Sequence, residues 1–144
     1  MGRATPDFSL FGHEHVRQYE ATDGTVGHDW NGTSCLILRT IGRRSGEVRK
    51  VPRCYGRDGN DSVVVASKGG APDHPVWYYN VRAHPLVEVQ DGSRKQDMTA
   101  REVSGDERAA WWERAVAAYP PYAEYQQKTT RQIPVFVLEP VSES

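Results

Sequence analysis

Hydrophobic residues along the chain are grouped in short runs, and glycines, prolines and Asp-Gly pairs separate these runs. Several runs are continuously apolar or alternate between apolar and polar positions, and both patterns are typical of β-strands. The strands that the pattern predicts lie at residues 35–40, 48–57, 62–67, 86–90, 96–103 and 133–138. Hairpin turns at 42–46, 58–59 and 91–92 connect them without strand–helix–strand alternation. This order predicts an antiparallel sheet or small barrel rather than a doubly wound fold.

Helical spacing of apolar residues predicts four helices around the sheet, at about residues 6–20, 75–83, 104–119 and 121–128. Ser104, with Glu107 three residues later, predicts a capping box at the start of the third helix. The apolar face of that helix is predicted to consist of Ala109, Trp112, Val116 and Tyr119. The first helix repeats Phe8, Phe11, His15 and Tyr19 at helical spacing. We interpret the first helix as a lid on the core, with a flap over a site or a membrane-surface contact as alternatives.

The 144 residues are enough for one ordinary domain with a substantial core. We expect a helix and loop at 1–31 and the barrel with its other helices at 32–140. The sequence has no apolar run long enough to predict a membrane span, and its first residues lack the apolar segment of a secretory signal. Two cysteines, Cys35 and Cys54, cannot build a disulfide framework. We therefore expect a reduced, cytoplasmic protein, with Cys35 inert in an apolar strand.

Positive charge is concentrated in one part of a chain whose total charge almost cancels. The 18 basic and 19 acidic residues give a net charge of −1, which argues against a general nucleic-acid binder. The segment between Arg39 and Arg57 nevertheless carries its cations against a single acid, Glu47. Its turn, Gly42-Arg-Arg-Ser-Gly46, combines guanidinium groups, a hydroxyl and mobile backbone amides. Because these groups bind oxyanions well, the turn predicts a phosphate or carboxylate site.

Two further segments are candidates for a binding pocket. A predicted strand ends on Ser67-Lys68-Gly69-Gly70, where glycine allows close backbone approach to a ligand. Two groups of aromatic residues combine apolar surface with hydroxyl donors that need polar partners when buried; they are Trp77, Tyr78 and Tyr79, and Tyr119, Tyr122 and Tyr125. His13 and His15 are badly spaced for helical metal ligands, and we expect no metal.

The order of these motifs resembles the deazaflavin-dependent nitroreductase family, the F420H2-dependent nitroreductases and quinone reductases. The resemblance covers residues 32–140 and rests on motifs that are specific in combination: GRRSG at 42–46, SKGG at 67–70, HPxWYxN at 74–80 and YPPYxxYQ at 119–126. It implies a split β-barrel of antiparallel strands with peripheral helices, and reduced coenzyme F420 as hydride donor. Cys54 and Gly56 depart from the family, in which apolar or aromatic residues are commoner at these positions.

The resemblance also implies roles for individual residues. Contacts to the phosphate and glutamate tail of F420 are expected from Arg44, Ser45, Arg49 and Lys50. The deazaflavin cleft would be formed by Pro52, Ser67, Lys68, Gly69, Gly70, Trp77 and Asn80. The substrate pocket would be lined by Tyr119, Tyr122 and Tyr125, with Tyr122, Tyr125 and Ser67 as the candidate catalytic residues. The acceptor would be a quinone, a nitroaromatic compound or an activated enone.

Three alternatives remain open from the sequence. One is an enzyme that uses flavin mononucleotide on the same barrel, and another is a non-catalytic F420 carrier. The third, a nucleic-acid-binding barrel, fits poorly with the neutral charge balance. Phe8, Leu10 and Phe11 in the first helix make a peripheral membrane contact a further possibility.

Overall fold

The computed structural model describes residues 12–30 and 32–141. Four helices lie at Gly12–Ala21 (α1), Val76–Ala83 (α2), Gly105–Ala118 (α3) and Pro121–Gln127 (α4). The strands lie at Asp29–Trp30 (β1), Thr33–Ile41 (β2), Val48–Cys54 (β3), Gly56–Asp58 (β4), Asp61–Val65 (β5), Leu86–Asp91 (β6), Arg94–Glu102 (β7) and Val135–Pro140 (β8). A single 3-10 turn, Lys68–Gly70, follows β5. In the described part of the chain, no helix is both long enough and apolar enough to span a membrane.

The eight strands form one antiparallel sheet in the order β1-β2-β6-β7-β8-β5-β4. Strand β3 also pairs with β2, on the edge opposite to β6. Only Tyr55 separates β3 from β4, so the two ends of the sheet are adjacent in the chain. The sheet therefore curls into a half-barrel with helices around it. This α+β architecture confirms the predicted antiparallel fold and excludes a parallel, doubly wound sheet.

The central strands bury side chains on both of their faces. In β5 and the residue after it, Val64 and Ala66 pack into the core that α2 covers, whereas Val63 and Val65 pack into the core under α3 and α4. Strand β8 alternates in the same way between the two cores. Since successive side chains of a strand point to opposite faces, a strand buried on both faces must be apolar throughout. This explains the unbroken apolar runs at 63–66 and 133–138.

The start of helix α3 differs from the sequence-based prediction. Ser104 is the N-cap residue, but its side chain makes no capping hydrogen bond, so the predicted capping box is wrong. Glu107 instead accepts two hydrogen bonds from the guanidinium group of Arg101, at 2.7 and 2.8 Å. A bidentate pair with a charged donor is stronger than one bond to a backbone amide, which draws the carboxylate away from the helix terminus.

The apolar face of α3 is also rotated from its predicted position. Trp111 and Ala115 are the buried residues of the helix, whereas Ala109 is exposed and Trp112 is only half-buried. The prediction had combined apolar positions without knowing which of the two adjacent tryptophans faces the sheet. Tyr119, at the C-cap, is buried as predicted.

Two element boundaries differ from prediction. The strand predicted at 48–57 is interrupted at Tyr55, whose hydroxyl donates a 2.8 Å hydrogen bond to Asp91. Helix α1 begins at Gly12, and the predicted residues 6–11 lie outside the described residues. The proposed membrane contact through Phe8, Leu10 and Phe11 also lies there and stays a prediction. In α1 the buried residues are His15, Val16 and Tyr19, consistent with a lid packed on the sheet.

Candidate active site

An apolar cavity with a volume of about 550 Å³ lies between strand β3, the 3-10 turn and the end of helix α3. Of the predicted site residues, it is lined by Pro52, Ser67, Lys68, Gly69, Trp77, Tyr119, Tyr122 and Tyr125. These residues come from four separate parts of the sequence and line one space, which we call the tyrosine cavity. Its mixture of aromatic surface and few polar groups is typical of a small-molecule site.

The three tyrosines of this cavity differ in what their hydroxyl groups contact. The Tyr122 side chain is buried, and its hydroxyl donates a 3.1 Å hydrogen bond to the carbonyl of Cys54. The hydroxyls of Tyr119 and Tyr125 lie 3.4 Å apart, and Tyr125 is only half-buried. Burial raises the pKa of Tyr119 and of Tyr122 above the ordinary tyrosine value, so both hydroxyls keep their protons at neutral pH.

The turn after β5 has an unusual backbone. Lys68, Gly69 and Gly70 all have positive φ angles, of 47°, 63° and 84°. A positive φ is unfavourable for lysine, and such conformations persist where the surrounding structure imposes them. Gly70 is also required sterically, because a Cβ atom there would approach the carbonyl oxygen of Tyr125 to 2.6 Å. Gly70 therefore supports the contact between this turn and α4 instead of lining the cavity.

Arg131 is not among the lining residues of the cavity and holds the turn through backbone carbonyl groups. Its guanidinium group donates to the carbonyl oxygens of Ala66, Ser67 and Ala71 at 2.7–3.1 Å, and its Nη1 lies 3.0 Å from Nδ1 of His74. In a trans peptide the C=O and N–H groups point in opposite directions. Since the carbonyls of Ala66 and Ser67 point towards Arg131, the amides of Ser67 and Lys68 point away from it.

A second groove adjoins the tyrosine cavity beside helix α1. It has a volume of about 510 Å³ and shares Val51 and Trp77 with that cavity. The indole Nε1 of Trp77 is buried and has no hydrogen-bond partner among the described residues. Because a buried donor without a partner is costly, this atom is a candidate donor to a ligand.

A third depression of about 290 Å³ lies at the basic turn and continues the second one through Arg49, Val76 and Asn80. It is lined by Gly42, Arg43, Arg44, Ser45, Arg49, Val76 and Asn80. A Cβ atom at Gly42 would displace the hydroxyl of Ser45, which lies 2.5 Å from that position. We call the second and third depressions together the basic groove. The basic groove and the tyrosine cavity form one path along β3.

Asn80 organises the basic groove through the backbone. Its Oδ1 accepts a 3.1 Å hydrogen bond from the amide of Arg43, although the two residues are 37 positions apart. Ser45 accepts a 3.1 Å bond from the amide of Glu47 within the turn. The Arg43 guanidinium lies 4.9 Å from the centre of the Tyr79 ring. Asn80 thus fixes the turn in the position where its cations meet the groove.

The structure corrects the prediction of an uncompensated basic hairpin. Glu20 of α1 bridges two of its cations, with one carboxylate oxygen 2.5 Å from Arg39 and 3.0 Å from Lys50. Arg39 also pairs with Glu88, and Arg57 pairs with Asp91. These acids come from α1 and β6, far from the hairpin in sequence. Lys50 lines the groove but shares Glu20 with Arg39, whereas the pair of Arg49 with Glu47 is longer, at 3.4 Å, and exposed. Arg43, Arg44 and Arg49 are therefore the cations best placed for an anion.

Several site residues were missed by sequence reasoning. Val51, Arg53 and Val76 line the cavities, and Arg131 supports the 3-10 turn. The two valines gave no signal, because an apolar residue in a strand or helix is expected to be in the core. Arg131 lies in a polar segment and looked like any surface arginine.

A half-barrel whose cation-lined groove leads to an aromatic cavity defines a protein that binds a planar, anionic ligand. The family model for F420H(2)-dependent quinone reductases matches residues 11–140. An F420H(2)-dependent quinone reductase of Mycobacterium tuberculosis is 37% identical over 128 residues, which cover 86% of each chain. A putative F420H(2)-dependent quinone reductase of Mycobacterium bovis has the same identity and coverage. The chain belongs to the F420H(2)-dependent quinone reductase family, and its cofactor is accordingly reduced coenzyme F420.

Solved structures agree with this assignment. A structure described as an F420-H2 dependent reductase is 53% identical, with a TM-score of 0.69 over 73% of this chain and 93% of that one. A putative pyridoxamine 5'-phosphate oxidase of Listeria innocua, 13% identical with a TM-score of 0.54 over 75% of this chain and 84% of that one, shares the fold alone. The prediction of an F420-dependent oxidoreductase is therefore confirmed.

The residues present fit this cofactor. F420 combines a flat deazaflavin ring with a phosphate and a glutamate tail. The basic groove offers the guanidinium groups of Arg44 and Arg49 for the anionic part. Trp77, whose Nε1 has no partner among the described residues, and the glycine-containing turn line the tyrosine cavity and would border a flat ring there.

Proposed function

We propose that the protein transfers a hydride from reduced F420 to a quinone in the tyrosine cavity, and that nitroaromatics and activated enones are further acceptors. The observation that carries this proposal is the continuity of the basic groove with the tyrosine cavity. The two share Val51 and Trp77, so an anionic cofactor and an apolar acceptor meet at one wall.

In this proposal, the anionic tail binds in the basic groove. Arg44 and Arg49 donate charge-assisted hydrogen bonds to its phosphate and carboxylate oxygens. Ser45 holds the conformation of the turn, as its bond to the amide of Glu47 indicates. Lys50 makes a weaker contribution than the sequence suggested, since Glu20 occupies its ammonium group.

The ring lies between the 3-10 turn and Trp77. The amides of Ser67 and Lys68 point away from Arg131 and are available as donors to a ring carbonyl. Gly69 leaves room for a flat group because it lacks a side chain, and Pro52 adds apolar surface to the same cavity. Asn80 acts indirectly, because its Oδ1 accepts a hydrogen bond from the amide of Arg43 and so fixes the basic turn. When bound, reduced F420 supplies the hydride, and no residue of the chain needs to change its oxidation state.

The acceptor packs against the rings of Tyr119, Tyr122 and Tyr125. A quinone that accepts one hydride and one proton becomes a hydroquinone, so a donor must face the oxygen that gains negative charge. Tyr125 is the best candidate, because its hydroxyl touches only that of Tyr119 among the described contacts of the cavity. The Tyr122 hydroxyl is directed to Cys54 and instead shapes the wall.

The test is a turnover experiment with purified protein under anaerobic conditions. Reduced F420 is mixed with menadione, and the visible absorbance of oxidised F420 is followed; we expect it to return with saturable dependence on menadione. Nitrobenzene derivatives and a cyclohexenone are tested in parallel. Reduced flavin mononucleotide is the control cofactor and is expected to support slower turnover. Tight F420 binding without reoxidation by any acceptor would favour a carrier and contradict the proposal.

A further inference from the structure

The two cysteines of the chain face each other across strands β2 and β3. Cys35 pairs with Cys54 in the strand register, and their Sγ atoms are 3.5 Å apart. The amide of Tyr55 donates to Ser34, whereas the amide of Cys35 donates to His28 on the opposite side of β2. Cys35 and Cys54 therefore form a non-hydrogen-bonded pair of the ladder. Such pairs bring Cα atoms to about 4.5 Å, within the range that a disulfide spans.

Of the two cysteines, Cys54 is the one that is among the residues lining the tyrosine cavity. Its carbonyl is the acceptor for Tyr122. Cys35 is 1% exposed and lies behind it among apolar side chains. An oxidant that enters the cavity therefore meets Cys54 first, with Cys35 as a neighbour in position to react second.

The hydrogen bond between the two thiols gives them different pKa values, and this difference also favours Cys54 as the more reactive one. It lowers the pKa of Cys54 and raises the pKa of Cys35, because a thiolate at Cys54 is stabilised by the S–H group of Cys35. The charge of the neighbouring Arg53 also lowers the pKa of Cys54. The thiolate is the form that reacts with oxidants, so Cys54 is the nucleophile of the pair.

We propose that Cys35 and Cys54 are a peroxide-sensitive dithiol that closes to a cross-strand disulfide in the wall of the tyrosine cavity. The Cys54 thiolate attacks one oxygen of hydrogen peroxide, the O–O bond breaks, and a sulfenic acid forms while hydroxide departs; the hydroxide takes up the proton that the Cys54 thiol had lost and becomes the first water. The Cys35 thiol then attacks the Cys54 sulfur, the S–O bond breaks, and a second water leaves with the thiol proton. One peroxide thus takes two electrons from the two sulfurs.

The disulfide changes the site without adding a group to it. The sulfur atoms must move from 3.5 Å to about 2.05 Å apart. This movement occurs at the residue that accepts the Tyr122 hydrogen bond, and it ties together the two strands that carry the basic turn. The prediction that Cys35 is inert therefore holds only as long as Cys54 is reduced.

The test uses the full chain, first reduced and then treated with hydrogen peroxide. Remaining thiols are alkylated in denaturant, and the intact mass is measured. We expect monomeric protein that has lost two hydrogen atoms, takes up no alkylating reagent, yields a proteolytic fragment joining Cys35 to Cys54, and returns to the starting mass with dithiothreitol. Alkylation of both cysteines after peroxide, or disulfides only between chains, would overturn the proposal.

Two variants check the order of the reaction. In Cys35→Ser, peroxide is expected to add one oxygen at Cys54, which dimedone traps. In Cys54→Ser, Cys35 is expected to remain reduced under the same treatment. Equal oxidation of the remaining thiol in the two variants would contradict the assignment of Cys54 as the first sulfur to react. The readout is a mass at a single residue and does not depend on enzymatic activity.

Discussion

The three tyrosines of the cavity have the same chemistry in sequence and different roles in the structure. The Tyr122 hydroxyl donates a hydrogen bond to the Cys54 carbonyl, and the buried Tyr119 lies beside Tyr125. Tyr125 alone of the three is half-buried, so its hydroxyl combines access to the cavity with a neighbouring donor. A phenolic hydroxyl group is a hydrogen-bond donor and can donate to a developing oxyanion.

Tyr125→Phe is expected to reduce turnover with menadione by about 100-fold, at the lower end of what a general acid contributes. The dissociation constant for F420, measured by fluorescence titration, is expected to stay unchanged, because the hydroxyl does not contact the cofactor in our proposal. Steady-state and pre-steady-state kinetics would check the turnover.

Tyr122→Phe is the matched control for that change. It leaves the buried Cys54 carbonyl without its partner, which costs about 1–3 kcal/mol of unfolding free energy, and we expect a lowered midpoint in urea with most of the turnover retained. A larger loss of turnover in Tyr122→Phe than in Tyr125→Phe would reverse the two assignments.

At the scale of elements, the 3-10 turn after β5 depends on a residue from the segment before β8. Arg131 donates hydrogen bonds to three carbonyl oxygens of the 66–71 segment. These bonds constrain the backbone around Lys68, which has a positive φ angle. The guanidinium group is partly buried, and desolvation lowers its pKa, which reflects the absence of a carboxylate among its hydrogen-bond partners. The turn is therefore a rigid part of the site.

Arg131→Gln is expected to weaken F420 binding about tenfold, equivalent to ~1.4 kcal/mol, because the amides of the turn lose their fixed direction. Arg131→Lys is expected to recover little of this, since lysine cannot bind several carbonyls in a plane. The measurement is a titration of each variant with F420.

Arg101→Gln is the control, since Arg101 bonds exposed Glu107 and Glu139 and not the turn. F420 affinity equal to wild type in Arg131→Gln would show that the turn keeps its shape without the guanidinium group.

At the scale of the whole molecule, charge is distributed by folding. Acids of α1 and β6 neutralise the outer cations of the hairpin, and Arg44 and Arg49 remain at the basic groove with no closer acid than Glu47. In our proposal, the anion site is therefore confined to these cations by folding. The same packing places His15 of α1 in the interior, 2.8 Å from the carbonyl of Gly27.

Arg44→Gln and Arg49→Gln are each expected to weaken F420 binding by about tenfold, as expected for one charge-assisted hydrogen bond. Both variants should bind a deazaflavin without phosphate and glutamates as well as the wild type does. Arg94→Gln, at an exposed site in β7, is the control for net charge. An equal loss of affinity in all three variants would indicate a general charge effect and not a groove.

The buried His15 makes stability depend on pH. Burial lowers its pKa, so the unfolded chain binds a proton more readily than the folded chain below about pH 6.5. The unfolding free energy is therefore expected to decrease as the pH falls through and below about 6.5. Urea unfolding at about pH 8 and pH 5.5 measures this difference.

His15→Gln is expected to reduce the difference between the two pH values, and His13→Gln, at an exposed position, is expected to leave it unchanged. His74 has a pKa lowered by burial as well, so part of the dependence remains in the first variant. If the difference in unfolding free energy between the two pH values is unaltered in His15→Gln, groups other than His15 cause the pH dependence.

The local pattern of the sequence determined the kind of fold. Alternating and continuous apolar runs identified the strands and hairpins, since the side-chain period of a strand is a local property. Short motifs likewise identified the basic turn, the 67–70 segment and the tyrosines, because their residue types carry the chemistry themselves.

Only the tertiary structure decided which of these groups are available. It paired Lys50 with Glu20, turned Tyr122 towards Cys54, brought Arg131 to the 67–70 segment and placed Cys35 opposite Cys54. Each of these contacts joins residues that are distant in sequence. The energies of these contacts depend on burial and on interatomic distance, and neither quantity can be read from the amino-acid sequence alone.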